Sequence, residues 1–136
     1  MEYSRNALQE KAMTIIYGAL TYVSMHTDFD IRELTTSLFD DLAYDDIDLY
    51  VKEVTVKALL YREAIIADIE KNMVQWTFKR LNRVAQSIIL LSVAHYRYVK
   101  DVDKSVVIDI AVKLSKKFLD DKEFKFINGV LDKTLI

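Results

Sequence analysis

The strongest constraint on the fold is the scarcity of residues that break helices or make tight turns. The 136-residue chain contains no proline and only two glycines, Gly18 and Gly129. A β-sandwich or β-barrel needs many tight turns, most of which contain Gly or Pro, so an all-β fold is nearly excluded. Two glycines that lie 111 positions apart cannot form a glycine-rich phosphate-binding loop either. The sequence therefore predicts an all-α protein.

Apolar residues recur at steps of three and four along most of the chain, a spacing that is typical of amphipathic helices. It predicts a compact bundle of about seven helices in a single domain over residues 1–136. Ser4 is the predicted N-cap of the first helix, which ends near His26, and Asp30 precedes a short second helix. The third predicted helix covers residues 47–69, about six turns, and a short fourth covers residues 72–80.

Three further helices are predicted in the C-terminal half. The fifth, over residues 82–98, is apolar nearly all round, which is typical of a central, buried helix. The sixth begins near Asp103, and Asp120 stands three residues before Glu123, the spacing of a capping box, at the start of the seventh. Glycine inside a helix costs about 1 kcal/mol relative to alanine, so Gly129 predicts a close neighbour. The side chains expected to be almost fully buried are Ile88, Leu91, Ile110, Leu114, Val130 and Leu131.

The sequence also favours a cytoplasmic protein without a membrane partner. The chain has no cysteine, which excludes disulfides and thiolate zinc sites and fits a reducing compartment. Its N-terminus lacks the basic flank and apolar run of a secretory signal. The longest apolar stretch, residues 87–94, is too short to span a membrane.

Residues that could carry out catalysis are scarce. His26 and His95 are the only histidines, and neither is spaced from further ligands as in a zinc site. Pairs of acidic residues occur at predicted helix starts, where they serve as caps and as partners of the helix dipole. No set of nucleophile, base and orienting residue is present. We therefore predict a protein that is not an enzyme, with no catalytic residues, no metal and no cofactor.

Charge is distributed unevenly between the two halves of the chain. Residues 1–70 contain six basic and fourteen acidic side chains, a net charge of −8, whereas residues 71–136 contain thirteen basic and seven acidic ones, a net charge of +6. This asymmetry indicates a face that binds a polyanion, or two faces for partners of different sign, or simply two solvated helix surfaces.

Several cations of the basic half lie at predicted helix starts, next to an aromatic residue. Helix N-termini offer free N–H groups to phosphate, and an exposed aromatic ring can stack on an unpaired base. This combination predicts binding of single-stranded RNA, although a core role for the aromatic residue is the alternative. The residues concerned are Lys79, Arg80, Arg83, Lys122, Lys125 and Phe126.

Three segments of the C-terminal half carry a resemblance to a known family. They are VAQSIIL at residues 84–90, VVIDIAVKLSKKF at residues 106–118 and KFINGVLDK at residues 125–133. Together and at this spacing they are similar to the closing helices of the NusB family of transcription antitermination factors. No gap is needed between the first segment and the last, and the match is weaker in the N-terminal half.

The resemblance implies a fold of two perpendicular helical subdomains, roughly residues 1–70 and 71–136. It also implies a role in ribosomal RNA transcription, in which the protein binds boxA-type RNA with the small-subunit ribosomal protein NusE and acts on the transcription elongation complex. Lys125 and Phe126 match family positions near the RNA. Tyr17 and Ala85 match positions at the ribosomal-protein contact, and a homodimer is left open.

Several differences from the family pattern affect its functional surface. Arg5 is the one cation left in an N-terminal segment that is usually arginine-rich, and Ala85 replaces an acidic residue. Losing about three cations would weaken RNA binding by about one to two orders of magnitude. A second hypothesis is therefore a NusB-fold protein-interaction module that has lost boxA recognition. A third, an accessory domain of an RNA methyltransferase, needs a catalytic domain for which 136 residues have no room.

Overall fold

A computed structural model describes residues 3–136, and over that range it contains seven α-helices and no β-strand. The predicted all-α fold is confirmed. A 3₁₀ turn covers Tyr44–Asp46, another covers Phe78–Arg80, and a π-helical turn covers His95–Val99. The helices are α1 (Arg5–Ser24), α2 (Ile31–Thr36), α3 (Leu49–Leu60), α4 (Arg62–Glu70), α5 (Arg83–Ala94), α6 (Lys104–Phe118) and α7 (Asp121–Thr134).

The predicted helix starts are confirmed where polar side chains cap free backbone N–H groups. Ser4 accepts a hydrogen bond of 3.1 Å from the backbone N–H of Ala7 and so caps α1. The carboxylate of Asp30 accepts from the first turn of α2. At α7, Asp120 and Glu123 form a complete capping box. Each cap satisfies donors that the helix itself cannot pair.

The prediction of a single long helix over residues 47–69 is wrong, because this segment contains two helices, α3 and α4, which meet at Tyr61. The Tyr61 ring stacks on Tyr98 with centroids 4.1 Å apart. At the break, the guanidinium of Arg62 donates a hydrogen bond of 2.7 Å to the backbone carbonyl of Leu59. The apolar spacing continues through the break since both helices bury side chains in the same core, so the period alone does not reveal it.

The helix predicted over residues 72–80 is also wrong, since only Phe78–Arg80 makes a 3₁₀ turn. Gln75 has a φ of 65°, in the left-handed region that a right-handed helix cannot contain. The carboxylate of Glu70 accepts from the backbone N–H of Phe78 at 2.8 Å and fixes the end of this loop. Trp76 is left 48% exposed.

Helix α5 is the centre of the main core, as predicted. It is buried without interruption over residues 87–94, and it packs against α1, α3, α4, α6 and α7. The six side chains predicted to be buried are each at most 8% exposed, which confirms that prediction. Both halves of the chain contribute to this core. The division into two perpendicular subdomains stays a prediction.

Three smaller expectations concern single residues or residue classes. Gly129 is exposed, and a Cβ atom at this position would meet no heavy atom of a neighbouring element within 4 Å, so the predicted close neighbour is wrong. Within residues 3–136, no helix has both the length and the apolar character that a membrane span requires. Over the same range, no group of three or more His, Cys, Asp or Glu side chains is placed to hold a metal ion.

Candidate nucleic-acid interface

The starts of α5 and α7, together with the loop before α5, enclose a groove of about 420 Å³. We call it the aromatic groove. It contains three of the predicted RNA-binding residues and one predicted partner contact. Its lining includes Trp76, Arg80, Ala85, Lys122, Glu123 and Phe126.

Two aromatic side chains meet at this groove. Phe126 is partly buried against the main core, and its ring lies 6.2 Å from that of Trp76 at an interplanar angle of 62°. The guanidinium of Arg80 lies 5.9 Å from the Trp76 ring centroid, a cation–π arrangement. Phe126 therefore belongs to both the core and the groove. A partly exposed aromatic pair beside a cation is suited to stacking on unpaired bases.

Hydrogen bonds tie the two helix starts together and so fix the shape of the groove. Asn82 caps α5 by accepting from the backbone N–H of Ala85 at 2.9 Å. Its amide nitrogen donates to the carboxylate of Glu123, which also takes part in the capping box of α7. The positive ends of two helix dipoles are thereby held next to the groove, where they favour an anion.

The remaining groups at the aromatic groove differ in accessibility. Lys122 is exposed and lines the groove, whereas Lys125 is exposed on α7 outside the lining. The methyl group of Ala85 is only 2% exposed in the groove lining. Ala85 itself therefore presents almost no surface to a partner.

A second groove, of about 440 Å³, contains the predicted RNA-binding residues Lys79 and Arg83. We call it the cationic groove. It lies between α1, α4 and the start of α5, and Arg62 is a third cation in its lining. The guanidinium of Arg83 lies 5.9 Å from the ring centroid of Tyr17, which is 40% exposed. Tyr17, one of the two residues predicted to contact the ribosomal protein, therefore lies next to this groove.

Arg5 lies apart from both grooves, in a cavity of about 190 Å³ that Tyr50, His95 and Lys113 also line. His95 is buried, and its Nε2 atom is 2.8 Å from a carboxylate oxygen of Asp101. The Tyr50 hydroxyl is buried without a hydrogen-bond partner among residues 3–136. Burial raises the pKa of Tyr50 well above its ordinary value, although the charge of Arg5 opposes this shift.

Sequence reasoning missed one exposed aromatic residue and one cation of these grooves. Trp76 is the only tryptophan of the chain and lies just before Lys79 and Arg80, but the incorrect helix over residues 72–80 concealed its exposure. Arg62 was missed because nothing in the sequence places it beside residues that are seventeen or more positions away. A lone tryptophan next to a pair of cations was the one available indication.

The chain matches a family model described as the NusB family over residues 7–135. A curated relative, the transcription antitermination protein NusB of Finegoldia magna, is 30% identical over 133 residues, which cover 97% of this chain and 93% of that protein. The three segments that carry the resemblance, within residues 84–133, lie inside the matched region.

Two solved structures share the fold. A structure of T. maritima NusB has a TM-score of 0.79 at 20% identity, with 99% of this chain and 92% of that chain covered. A crystal structure of antitermination factors NusB and NusE in complex with double-stranded RNA has a TM-score of 0.76 at 25% identity, covering 96% of this chain and 95% of that chain. The arrangement of the seven helices is therefore that of these proteins.

Proposed function

Since the chain belongs to the NusB family, we propose that it is a transcription antitermination factor that binds boxA-type RNA together with the ribosomal protein NusE during ribosomal RNA transcription. The observation that carries this proposal is the pairing of Trp76 and Phe126 with Arg80 and Lys122 in the aromatic groove. The similar complex of NusB and NusE with double-stranded RNA supports NusE and RNA as partners, while the preference for a single strand rests on the aromatic groove. In this role the protein acts on the elongation complex by binding and not by catalysis.

The aromatic groove favours single-stranded RNA. Bases of a duplex already stack on one another, so their faces are not available to protein side chains. In a single strand, one base can stack on Phe126 and a neighbouring base on Trp76, with each stack worth about 1–3 kcal/mol. Arg80 and Lys122 then lie where they can neutralise the adjoining phosphates.

The contact with NusE is proposed at the exposed face of α1 around Tyr17 and at the start of α5 near Ala85. Tyr17 offers a large, partly exposed ring that the Arg83 guanidinium holds in place. Ala85 cannot supply a carboxylate, so this contact lacks one charged interaction. We expect the complex to be weaker than one in which an acidic residue occupies the position of Ala85.

A protein-interaction module without boxA recognition is the second candidate. The position of Arg5 favours it, because this cation lies in the cavity with Tyr50 and does not reach either groove. Few phosphate contacts would then remain, and the salt dependence of RNA binding would be shallow or absent.

A titration of labelled boxA-type RNA, with and without NusE, separates the two candidates. We expect binding to the single strand, tighter binding with NusE, and little competition from a duplex of the same sequence. Phe126→Leu keeps an apolar side chain in the core but removes the ring, and it should lose about 1–3 kcal/mol of RNA affinity. Phe124→Leu is the matched control, because Phe124 lies on the same helix beside Lys116 and outside the groove.

A thermal melt of both leucine variants accompanies the titration, because Phe126 also packs against the core. If Phe126→Leu is folded and binds the RNA as tightly as the unchanged protein, the RNA site is not at this groove. The protein-interaction module would then be the better account of the function.

A further inference from the structure

The aromatic groove and the cationic groove are separated by a single 3₁₀ turn, Phe78–Arg80. Arg80 lines the aromatic groove, whereas Phe78 and Lys79 line the cationic groove. Lys79 and Arg80 are consecutive, so their Cα atoms are about 3.8 Å apart, and lining residues of the two grooves adjoin each other at this turn. A strand of a few nucleotides is long enough to cross this turn.

The cations of the cationic groove form no ion pair among residues 3–136. No carboxylate oxygen of residues 3–136 lies within 4.0 Å of a side-chain nitrogen of Arg62, Lys79 or Arg83. The one acidic residue in the lining, Glu70, already accepts a hydrogen bond from the backbone N–H of Phe78. The groove therefore carries a net positive charge.

Neutral oxygen atoms hold two of these cations in place. Arg83 donates to the hydroxyl groups of Thr21 at 3.1 Å and Ser24 at 3.2 Å, and Arg62 donates to a backbone carbonyl at 2.7 Å. Guanidinium groups that are held in this way lose little conformational freedom when they bind an anion. Such groups bind phosphate through paired, charge-assisted hydrogen bonds.

We propose that the RNA strand crosses the Phe78–Arg80 turn and continues into the cationic groove, where Arg62, Lys79 and Arg83 bind its phosphates. This inference rests on the proposed function, and it assigns the two grooves different tasks. The aromatic groove takes bases, and the cationic groove takes the sugar–phosphate backbone of the nucleotides that follow. Because the turn Phe78–Arg80 contributes residues to both grooves, a strand bound in the aromatic groove lies next to these cations, which favours RNA over an acidic protein segment as the occupant.

Two single-stranded RNAs of different length test this division. One, of about three nucleotides, fits the aromatic groove alone, and the other extends the same sequence to about nine nucleotides, a length within the range of single-strand sites. The variants are Arg62→Gln and Lys79→Gln. The matched control is Lys133→Gln, an exposed lysine at the far end of α7, about 18 Å along the helix from its start.

Each groove variant should weaken binding of the longer RNA about five-fold at 0.1 M salt and reduce the salt slope by about 0.7, the value for one phosphate contact. Binding of the shorter RNA should not change, and the control should change neither. Arg62 bonds at the junction of α3 and α4, so Arg62→Gln could alter the fold. Lys79 has no such bond among the described residues, and Lys79→Gln keeps the test decisive.

Three results would overturn the inference. The groove variants could bind the longer RNA like the control, both RNAs could weaken equally, or the variants could lose NusE binding instead, which would assign the groove to a protein. None of these affects the proposed function as long as Phe126→Leu weakens both RNAs. If Phe126→Leu weakens neither RNA, the proposed function fails, and this inference fails with it.

Discussion

Similar kinds of side chains surround the two ends of α5, but they differ in exposure and in bonding. At its start, Trp76, Arg80 and Phe126 are exposed or partly exposed around the aromatic groove. At its end, about 20 Å away, the His95 ring is buried 5.1 Å from the Tyr50 ring and bonds to Asp101. The Trp76–Phe126 pair is thus partly open to solvent, whereas the buried His95 ring packs against Tyr50.

This difference indicates which of the two clusters, Trp76–Phe126 or Tyr50–His95, is available to a ligand. Polar groups that already have partners within the chain contribute to stability, and displacing those partners costs free energy. Groups that are held in position but remain exposed keep their interactions for a ligand. The Tyr50 hydroxyl is an exception, because it is buried without a hydrogen-bond partner among residues 3–136. Substitutions in the middle of α5, at its start, at its end and at the rim of the groove test the comparison in turn.

Leu91→Ala alters the middle of the helix that both ends share, and it should have the largest effect. Leu91 is 1% exposed in the main core. Truncating a buried leucine removes apolar contacts and leaves a cavity, which lowers the free energy of unfolding by about 2–5 kcal/mol. Urea denaturation measures the change. Leu60→Ala is the matched control, because Leu60 is 66% exposed and its truncation should cost less than about 0.5 kcal/mol.

The core was predictable from sequence because the apolar spacing of α5, α6 and α7 directly reports which side of each helix is buried. The same spacing failed at Tyr61, where α3 and α4 bury side chains in one core and the break depends on a stack with Tyr98. It failed again over residues 72–80, where a left-handed Gln75 and a hydrogen bond from the backbone N–H of Phe78 to the carboxylate of Glu70 determine the loop. The first failure arises from a contact between distant parts of the chain, and the second from backbone conformation and a side-chain bond that an apolar period does not report.

Ala85→Glu alters the start of α5 and tests the proposed contact with NusE. The added carboxylate can extend into the groove, and we expect NusE to bind more tightly by about 1.5 kcal/mol, the lower end of measured couplings between close charges. RNA should bind less tightly, because the carboxylate lies near Arg80 and Lys122. Calorimetry measures both. Ala85→Gln has a similar size without the charge, so equal NusE affinity of the two variants would argue against a charged contact here.

The candidate site was only partly predictable. Arg80, Lys122 and Phe126 were identified because they lie at helix starts, and the structure brings them together in the aromatic groove. Arg5 was placed with them by family resemblance, yet it lies in a different cavity. A sequence pattern identifies the residue types but not the path of the chain between elements, and this path decides which cations become neighbours.

Tyr50→Phe alters the end of α5 and should raise the free energy of unfolding by about 1 kcal/mol, because it removes a buried hydroxyl that has no partner in the described part of the chain. RNA affinity should not change. The difference in free energy of unfolding between Tyr50→Phe and the unchanged protein should grow above about pH 10, where an unfolded tyrosine loses its proton. Because burial raises the pKa of Tyr50 in the folded protein, the unfolded state releases this proton first, so stability falls as the pH rises.

Urea denaturation of Tyr50→Phe between pH 7 and about pH 10.5 measures this effect. Tyr22→Phe is the control, since Tyr22 is 39% exposed and its substitution should leave the alkaline profile unchanged. A phenylalanine variant less stable than the unchanged protein would mean that the Tyr50 hydroxyl has a partner, and the two ends of α5 would then differ even more sharply.

Lys125→Ala alters the rim of the aromatic groove and should have the smallest effect. Lys125 is exposed on α7 and does not line the groove, so it can neutralise a phosphate but cannot read a base. Its loss should weaken binding about five-fold at 0.1 M salt, equally for RNAs of different sequence, and reduce the salt slope by about 0.7. Titrations at several salt concentrations measure that slope. A loss that depends on RNA sequence would place Lys125 at a base and would extend the groove beyond its present rim.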